Sequence, residues 1–133
     1  MWSRTPEKAS LHGVLVDLEL EPAESPRYTE LRTALTTRLA AEEDVLRGKV
    51  ISLDTVHFSQ FTRQYLASRN VDFIVLSPQG TPWHRYAGPR GAQLEAIKNL
   101  LRELVLQHDL PVLGICGGHQ FMTLAFGGAV GFI

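Results

Sequence analysis

The sequence has 133 residues, of which 44% are hydrophobic, and its formal net charge is −1. A chain of this size can bury one core, so we expect a single domain over residues 1–133. The near-neutral charge gives no indication of a nucleic-acid or membrane-surface partner, and no apolar run approaches the roughly 20 residues of a membrane span. One cysteine, Cys116, excludes an internal disulfide and favours a reducing compartment, so the expected location is cytoplasmic.

The chain alternates between short apolar runs and longer stretches with helical periodicity. Apolar runs of strand length occur at residues 13–18, 49–53, 71–76 and 112–115. The spacing of apolar residues predicts helices at residues 28–46, 58–66, 92–105 and 120–126. This order predicts an α/β fold with a doubly wound, flavodoxin-like parallel sheet and helices on both faces, because each crossover must carry the chain back over the sheet.

The stretch Gly114–Gln120, with the sequence GICGGHQ, joins the fourth predicted strand to the last helix. A side chain on such a sharp turn is lifted clear of the sheet, and the flanking glycines let strand and helix pack closely. Cys116 also lies at a helix N-terminus, where unpaired N–H groups and the helix dipole favour the thiolate. The N–H of Gly117 can donate to the oxyanion that nucleophilic attack creates. The pattern predicts a nucleophile elbow, the alternative being a buried, inert thiol.

The elbow resembles that of the class I (triad-type) glutamine amidotransferases, whose G-x-C-x-G-x-Q pattern is matched at Gly114, Cys116, Gly118 and Gln120. The resemblance implies a domain that hydrolyses L-glutamine through a cysteine thioester and supplies ammonia to a synthetase domain or subunit. It implies Cys116 as the catalytic nucleophile and substrate-binding roles for Gln120 and Gly118. No metal or cofactor is expected, because one cysteine and scattered histidines show no ligand spacing.

The loop at residues 77–91 contains three prolines and three glycines and is long enough to indicate a function. Strands of a parallel sheet end at one edge, so this loop is expected beside the thiol. The resembled family usually has Gly-Gly followed by Pro-Gly here, and this chain departs from that pattern. Pro78 has no N–H, so the second oxyanion donor would be Gln79 or Gly80, and we expect Gly80 because backbone can approach a ligand closely at a glycine. One of three loop residues is expected to shape the glutamine pocket: Trp83, His84 or Tyr86.

A catalytic thiol needs a basic partner, and the chain has five histidines. His57 and His84 follow strands two and three and are the local candidates. The other three are expected elsewhere. His12 is expected at the opposite rim of the sheet, His108 at a helix end, and His119 on the elbow helix but turned away from the thiol.

In the resembled family the histidine and glutamate of the triad come from a His-x-Glu motif far downstream of the cysteine. That motif is absent here, so the likeness covers the N-terminal half of such a domain. We therefore expect an incomplete domain, inactive alone, whose partners are L-glutamine, a synthetase and a complementary C-terminal segment. The alternatives are a non-catalytic binding or regulatory module of the same fold, or a related cysteine hydrolase such as a γ-glutamyl hydrolase. An unrelated flavodoxin-type domain is disfavoured, because the acidic stretch at residues 19–22 does not suit a phosphate loop.

Overall fold

The computed structural model describes residues 10–22, 26–41 and 50–131. Four strands are present in this part of the chain: β1 (Ser10–Asp17), β2 (Val50–His57), β3 (Phe73–Leu76) and β4 (Val112–Gly114). They form a parallel sheet in the order β2-β1-β3-β4. The described helices are α1 (Pro26–Ala40), α2 (Arg63–Ala67), α3 (Gly88–His108) and α4 (Gly117–Ala125). None of these helices has the length and apolar character that would let it cross a membrane.

Strand β1 lies in the interior of the sheet, which explains its continuous apolar run. Val14, Leu15 and Val16 are completely buried, because β2 and β3 flank the strand and both faces are covered. From β1 the chain first adds β2 on one side and then returns to add β3 on the other. The order of the strands therefore reverses between β1 and β3, which is where open α/β sheets bind their ligands.

Helices cover both faces of the sheet. On one face, α3 and α4 contribute Leu94, Ile97, Leu101 and Phe121 to a core that includes alternate residues of β1 and β3. On the other face, Leu31 and Leu35 of α1 pack against a smaller cluster made by three strand residues, Leu15, Leu53 and Val75. The predicted α/β sheet with helices on both faces is confirmed.

Helix α3 shows how the local sequence sets the ends of an element. Pro89 lies in its first turn, where a missing N–H costs nothing, and Asp109 closes it in the left-handed conformation with φ of 51°. The helix begins at Gly88, earlier than the predicted start at Ala92, so the loop after β3 is shorter than predicted. A short 3-10 turn, Trp83–Arg85, lies within that loop.

The prediction of one continuous helix at residues 58–66 is wrong. A 3-10 turn at Phe58–Gln60 is followed by α2, which begins afresh after Thr62. The Thr62 side chain accepts a hydrogen bond from the backbone N–H of Tyr65, so it caps a new helix where the apolar spacing alone suggested a continuous one. Arg63 in α2 hydrogen-bonds Glu103 of α3 and thereby lowers the pKa of that carboxyl.

Strand β2 is longer than predicted and runs to His57 because its parallel pairing with β1 continues as far as Asp17. Its exposed edge residues, among them Asp54 and Thr55, are polar and gave no apolar signal. The predicted helix at residues 28–46 corresponds to α1 as far as Ala40. Its remainder from residue 42, and the predicted start of strand two at Lys49, lie outside the described residues.

Candidate active site

Cys116 stands between β4 and α4 on a turn with an uncommon backbone conformation. It is the N-cap residue of α4, with φ of 54° and ψ of −109°, and its side chain is exposed. A positive φ at a residue with a β-carbon costs about 1–3 kcal/mol and is found at functional sites that the surrounding structure holds in place. The N–H groups of His119 and Gln120 donate to the Cys116 carbonyl at 3.0 and 3.2 Å, so the helix starts directly at the cysteine. The alternative of a buried thiol is wrong.

The glycines of the elbow allow the strand and the helix to approach very closely. A β-carbon added at Gly114 would lie 2.7 Å from the carbonyl oxygen of Gly118, and one added at Gly118 would lie 2.3 Å from that of Leu76. Real β-carbons essentially never approach other atoms to within 3.0 Å. The N–H of Gly118 donates to Ile115 O at 2.9 Å, so the contacts described for this buried glycine are structural. Its contact with a substrate stays a prediction.

Two unpaired backbone N–H groups belong to residues that lie in close contact near the cysteine. In the part of the chain that the structure describes, neither the N–H of Gly117 nor that of Gln79 donates a hydrogen bond. The two residues are in close contact, since a β-carbon added at Gly117 would lie 3.0 Å from the backbone nitrogen of Gln79. Gly117 directly follows Cys116, so both of these N–H groups belong to residues close to the cysteine.

Gly80, the second oxyanion donor expected from the sequence, makes a different contact. Its N–H donates to Oε1 of Glu19 at 2.8 Å, and the Thr81 hydroxyl donates to Oε2 of the same carboxylate at 3.4 Å. The Gly80 N–H is thus paired with the Glu19 carboxylate, whereas the backbone N–H of Gln79 is unpaired. This contact gives no support to the preference for Gly80 over Gln79, which stays a prediction, because glycine flexibility alone does not show which N–H a neighbouring carboxylate will engage.

The loop after β3 is fixed to the end of β1 by buried polar contacts. The hydroxyl of Ser77, which is completely buried, accepts from the N–H of Leu18 at 2.9 Å and donates to the carbonyl of Pro78 at 2.9 Å. The phenol of Tyr86 donates to the carbonyl of Leu18 from the other end of the loop. Buried polar groups that are all paired restrict a loop strongly, so the backbone around Gln79 is held in one position relative to the elbow.

A cleft of about 490 Å³ opens between this loop and α4. Trp83 and Gln120 line it, and the indole N–H of Trp83 donates to Oε1 of Gln120 at 3.0 Å. His84 also lines the cleft, whereas Tyr86 is buried behind Trp83 with its ring centroid 5.3 Å from that of the indole. The position of Gln120 at the cleft is compatible with its predicted role, but the bond to Trp83 had no sequence signal, because it joins residues 37 positions apart.

His57, a predicted candidate for the catalytic base, has both ring nitrogens engaged. Nε2 lies 2.6 Å from the carbonyl oxygen of Glu19, which can only accept, so this nitrogen carries the proton. Nδ1 accepts from the backbone N–H of Ser59 at 3.3 Å and lies 2.7 Å from its hydroxyl. The side chain is 8% exposed and caps the 3-10 turn after β2. His57 therefore has a structural role, and its engaged ring nitrogens argue against it as the local candidate for a base.

None of the described histidines is hydrogen-bonded to the thiol. His84 and His119 are exposed, and within the described residues no hydrogen bond or ion pair joins a histidine to Cys116. The same residues hold no group of three or more His, Cys, Asp or Glu side chains placed to bind a metal ion. The described site therefore combines an exposed thiol with two unpaired backbone N–H groups, and no described histidine is hydrogen-bonded to that thiol.

Comparison with known proteins supports this interpretation of the elbow. Residues 39–132 match the class-I glutamine amidotransferase family. The chain is 31% identical over 132 residues to the carbamoyl phosphate synthase small chain of Ruegeria pomeroyi, an alignment that covers 90% of this chain and 34% of the relative. It is 49% identical over 41 residues to a glutamine-hydrolyzing GMP synthase subunit of Methanocaldococcus jannaschii, covering 31% of this chain and 21% of that protein.

A third relative, the carbamoyl phosphate synthase small chain of Sulfolobus acidocaldarius, is 38% identical over 66 residues, covering 50% of this chain and 16% of the relative. The chain thus spans about a third or less of the length of these relatives. None of the solved structures matches it. The family match extends over most of the sequence and includes the whole elbow, so the chain belongs to the class-I glutamine amidotransferase family.

Proposed function

We propose that this chain supplies the nucleophile and the oxyanion site of a glutaminase that hydrolyses L-glutamine. One observation carries the proposal: an exposed thiol at the start of α4 stands beside two unpaired backbone N–H groups, those of Gly117 and Gln79. That arrangement matches what acyl transfer requires, a nucleophile and donors aimed at the oxygen on which charge develops. The name of one relative, a GMP synthase subunit, describes it as glutamine-hydrolyzing.

In the proposed reaction the thiolate of Cys116 forms a bond to the carbon of the substrate carboxamide. The carbonyl π electrons move to oxygen, and the N–H groups of Gly117 and Gln79 stabilise the resulting oxyanion. When the oxyanion collapses, the C–N bond breaks and the nitrogen takes up a proton as it leaves as ammonia. Water then attacks the glutamyl thioester, which releases glutamate and restores the thiol. Gln120 would hold the substrate in the cleft.

Gly80 and Gly118 have supporting roles in this proposal. Gly80 fixes the loop by donating to the Glu19 carboxylate, so the neighbouring Gln79 carries the second oxyanion donor. Gly118 lets α4 approach β3 closely, and Gly117, the residue before it, is in close contact with Gln79. Removal of one oxyanion donor from an enzyme typically lowers kcat by a factor of about 10²–10³.

The proton transfers need a group that the described residues do not place at the thiol. We infer that a histidine and a glutamate of a complementary segment complete the site. The ammonia would pass to a synthetase domain or subunit, as the names of the carbamoyl phosphate and GMP synthase relatives suggest for the partner class. General acid–base assistance is worth about 10²–10⁴-fold, so the 133-residue chain alone should turn over glutamine at a correspondingly reduced rate.

The test is active-site trapping with the chloroketone analogue of L-glutamine, in which a chloromethyl ketone replaces the side-chain amide. The Cys116 sulfur bonds to the methylene carbon, and chloride leaves with the electron pair of the broken C–Cl bond. We expect saturable modification of Cys116, measured by mass spectrometry, with protection by L-glutamine but not D-glutamine and loss in Cys116→Ser. Modification that rises linearly with reagent concentration and ignores glutamine would reject the proposal.

One observation also favours a second function, a glutamine-binding module without catalysis, since no described histidine contacts Cys116. This alternative predicts the same trapping but no hydrolysis after a complementary His-Glu segment is added. Glutamate release measured with and without that segment separates the two functions. Restored hydrolysis supports the glutaminase, and binding without turnover supports the module.

A further inference from the structure

The cleft beside the elbow contains a contact that the proposed reaction does not itself require. The indole N–H of Trp83 bonds the side-chain oxygen of Gln120 at 3.0 Å, across the cleft that both residues line. We propose that Trp83 is a positioning residue that sets the orientation of the Gln120 amide, so that Gln120 presents N–H donors, and not its oxygen, to the ligand. This inference rests on the proposed glutaminase site and deepens it.

The tryptophan ring is itself well fixed. Its centroid lies 5.6 Å from that of Phe121, which is completely buried, and 5.3 Å from that of Tyr86, which is 7% exposed. The Tyr86 phenol is hydrogen-bonded to the carbonyl of Leu18 at the end of β1. Through these contacts the ring is held between α4 and the β1 end, so little side-chain entropy remains to be lost when it bonds Gln120.

The chemistry of the two groups decides the orientation of the amide. Indole Nε1 can only donate, so the Gln120 atom that faces it must be the oxygen. Without that partner the terminal amide torsion has two nearly equivalent orientations, with oxygen and nitrogen exchanged. Because Oε1 is held by Trp83, the two N–H groups on Nε2 face away from the indole, and no described residue accepts a hydrogen bond from them.

The consequence is a site that selects a hydrogen-bond acceptor on the ligand. A carboxylate or a carbonyl oxygen can accept from Gln120 Nε2, whereas an ammonium group cannot. For L-glutamine the matching groups are the α-carboxylate and the side-chain carbonyl. Trp83 therefore acts on ligand affinity through Gln120, without contributing to the chemical step at Cys116.

The experiment measures inactivation of the full 133-residue chain by the chloroketone analogue of L-glutamine, as the half-saturating concentration KI and the limiting rate. The set comprises wild type, Trp83→Phe, Gln120→Ala, the double variant, and His119→Gln as a control on the exposed surface of α4. Trp83→Phe keeps an aromatic ring and removes only the donor. We expect it to raise KI about 3- to 10-fold, the effect of losing one net hydrogen bond, with the limiting rate and the iodoacetamide rate within about 2-fold of wild type.

The double variant tests whether Trp83 works through Gln120. In the Gln120→Ala background, Trp83→Phe should raise KI by less than about 2-fold, because the amide that it orients is gone. An equal rise in both backgrounds would show that the indole acts independently of Gln120 and would overturn the inference. An unchanged KI in Trp83→Phe itself would do the same.

Gln120→Glu keeps the tryptophan and gives a readout if Trp83→Phe fails to fold. One carboxylate oxygen still accepts from the indole, while the other replaces the N–H donors and repels an acceptor. We expect KI for Gln120→Glu to be at least about 3-fold above that of Gln120→Ala, and equal or tighter binding would overturn the inference. Unsaturable modification of the wild type would instead reject the proposed function and this inference with it, whereas the other negative outcomes leave the glutaminase proposal standing.

Discussion

The paired strands β1 and β2 carry a histidine cluster at each end, and the two clusters differ in what they do. Toward the start of the strands, His12 Nδ1 lies 2.7 Å from the Ser52 hydroxyl and Nε2 lies 3.2 Å from the Asp54 carboxylate. At the other end, His57 contacts the Ser59 hydroxyl and a backbone carbonyl. Both clusters contain residue types of a hydrolytic triad, yet neither contacts Cys116. Triad residue types in contact with one another therefore do not by themselves form part of the site at Cys116.

Burial separates the two clusters further. His57 is 8% exposed and both its ring nitrogens have fixed partners, so it ties the end of β2 to the β1 loop. The His12 and Asp54 side chains are 26% and 58% exposed, and water screens interactions of that kind. The elbow depends neither on buried side-chain hydrogen bonds nor on an exposed charge pair. Its position is set by glycines that no residue with a side chain could replace.

The largest effect is expected when the elbow itself is changed. Gly118→Ala would place a β-carbon 2.3 Å from the backbone oxygen of Leu76, which cannot move aside without displacing β3. We expect a loss of about 3 kcal/mol or more in the free energy of unfolding, the upper end of what overpacking costs, measured by denaturant titration. Modification of Cys116 by the glutamine chloroketone should fall with it.

Gly131→Ala is the matched control for stability, because a β-carbon there meets nothing within 4 Å. Its free energy of unfolding should stay within about 0.5 kcal/mol of the wild type. If Gly118→Ala were equally harmless, the close packing of α4 on β3 would not define the elbow, and the contrast with the two histidine clusters would fail.

A smaller effect is expected at the buried cluster. His57→Ala leaves the Glu19 carbonyl and the Ser59 N–H without their partner and removes a ring that packs 4.4 Å from that of Phe58. The expected loss of stability is about 1–3 kcal/mol, while the iodoacetamide rate of folded Cys116 stays within about 2-fold of wild type. A 10-fold slower reaction at unchanged stability would instead identify His57 as a base for the thiol.

Sequence patterns found the elements whose cause is local and missed the contacts whose cause is distant. The elbow was predictable, because the strand, the glycines and the helix that create it are contiguous. The Glu19 contact with Gly80 and the Trp83 contact with Gln120 join residues 61 and 37 positions apart. Such contacts depend on how a loop folds against a second, distant part of the chain, and no spacing rule encodes that.

The strands show the same division. The apolar runs of β1 and β3 were recognisable because both faces of these strands are buried. The last residues of β2 belong to the sheet only through their pairing with β1, and their own sequence is mixed and partly exposed. Single-sequence patterns therefore predicted the fold class and the sharp turn that carries Cys116, but not the hydrogen bonds made by Gly80 and His57.

The smallest effect is expected at the exposed cluster. His12→Gln removes the imidazole contact with Asp54. It leaves in place the hydrogen bonds of the His12 backbone, whose N–H donates to the Asp72 carboxylate and whose carbonyl accepts from the Asp72 N–H. Exposed ion pairs are worth about 0–1 kcal/mol, so stability should fall by less than about 1 kcal/mol, and Ser52→Ala should change it still less. With a protonated imidazole this contact is an ion pair that salt screens, so the difference between wild type and His12→Gln should then shrink further when unfolding is measured in molar salt. A loss larger than that of His57→Ala, unaffected by salt, would show that the cluster near the start of β1 is the structural one and would reverse the order of the two clusters.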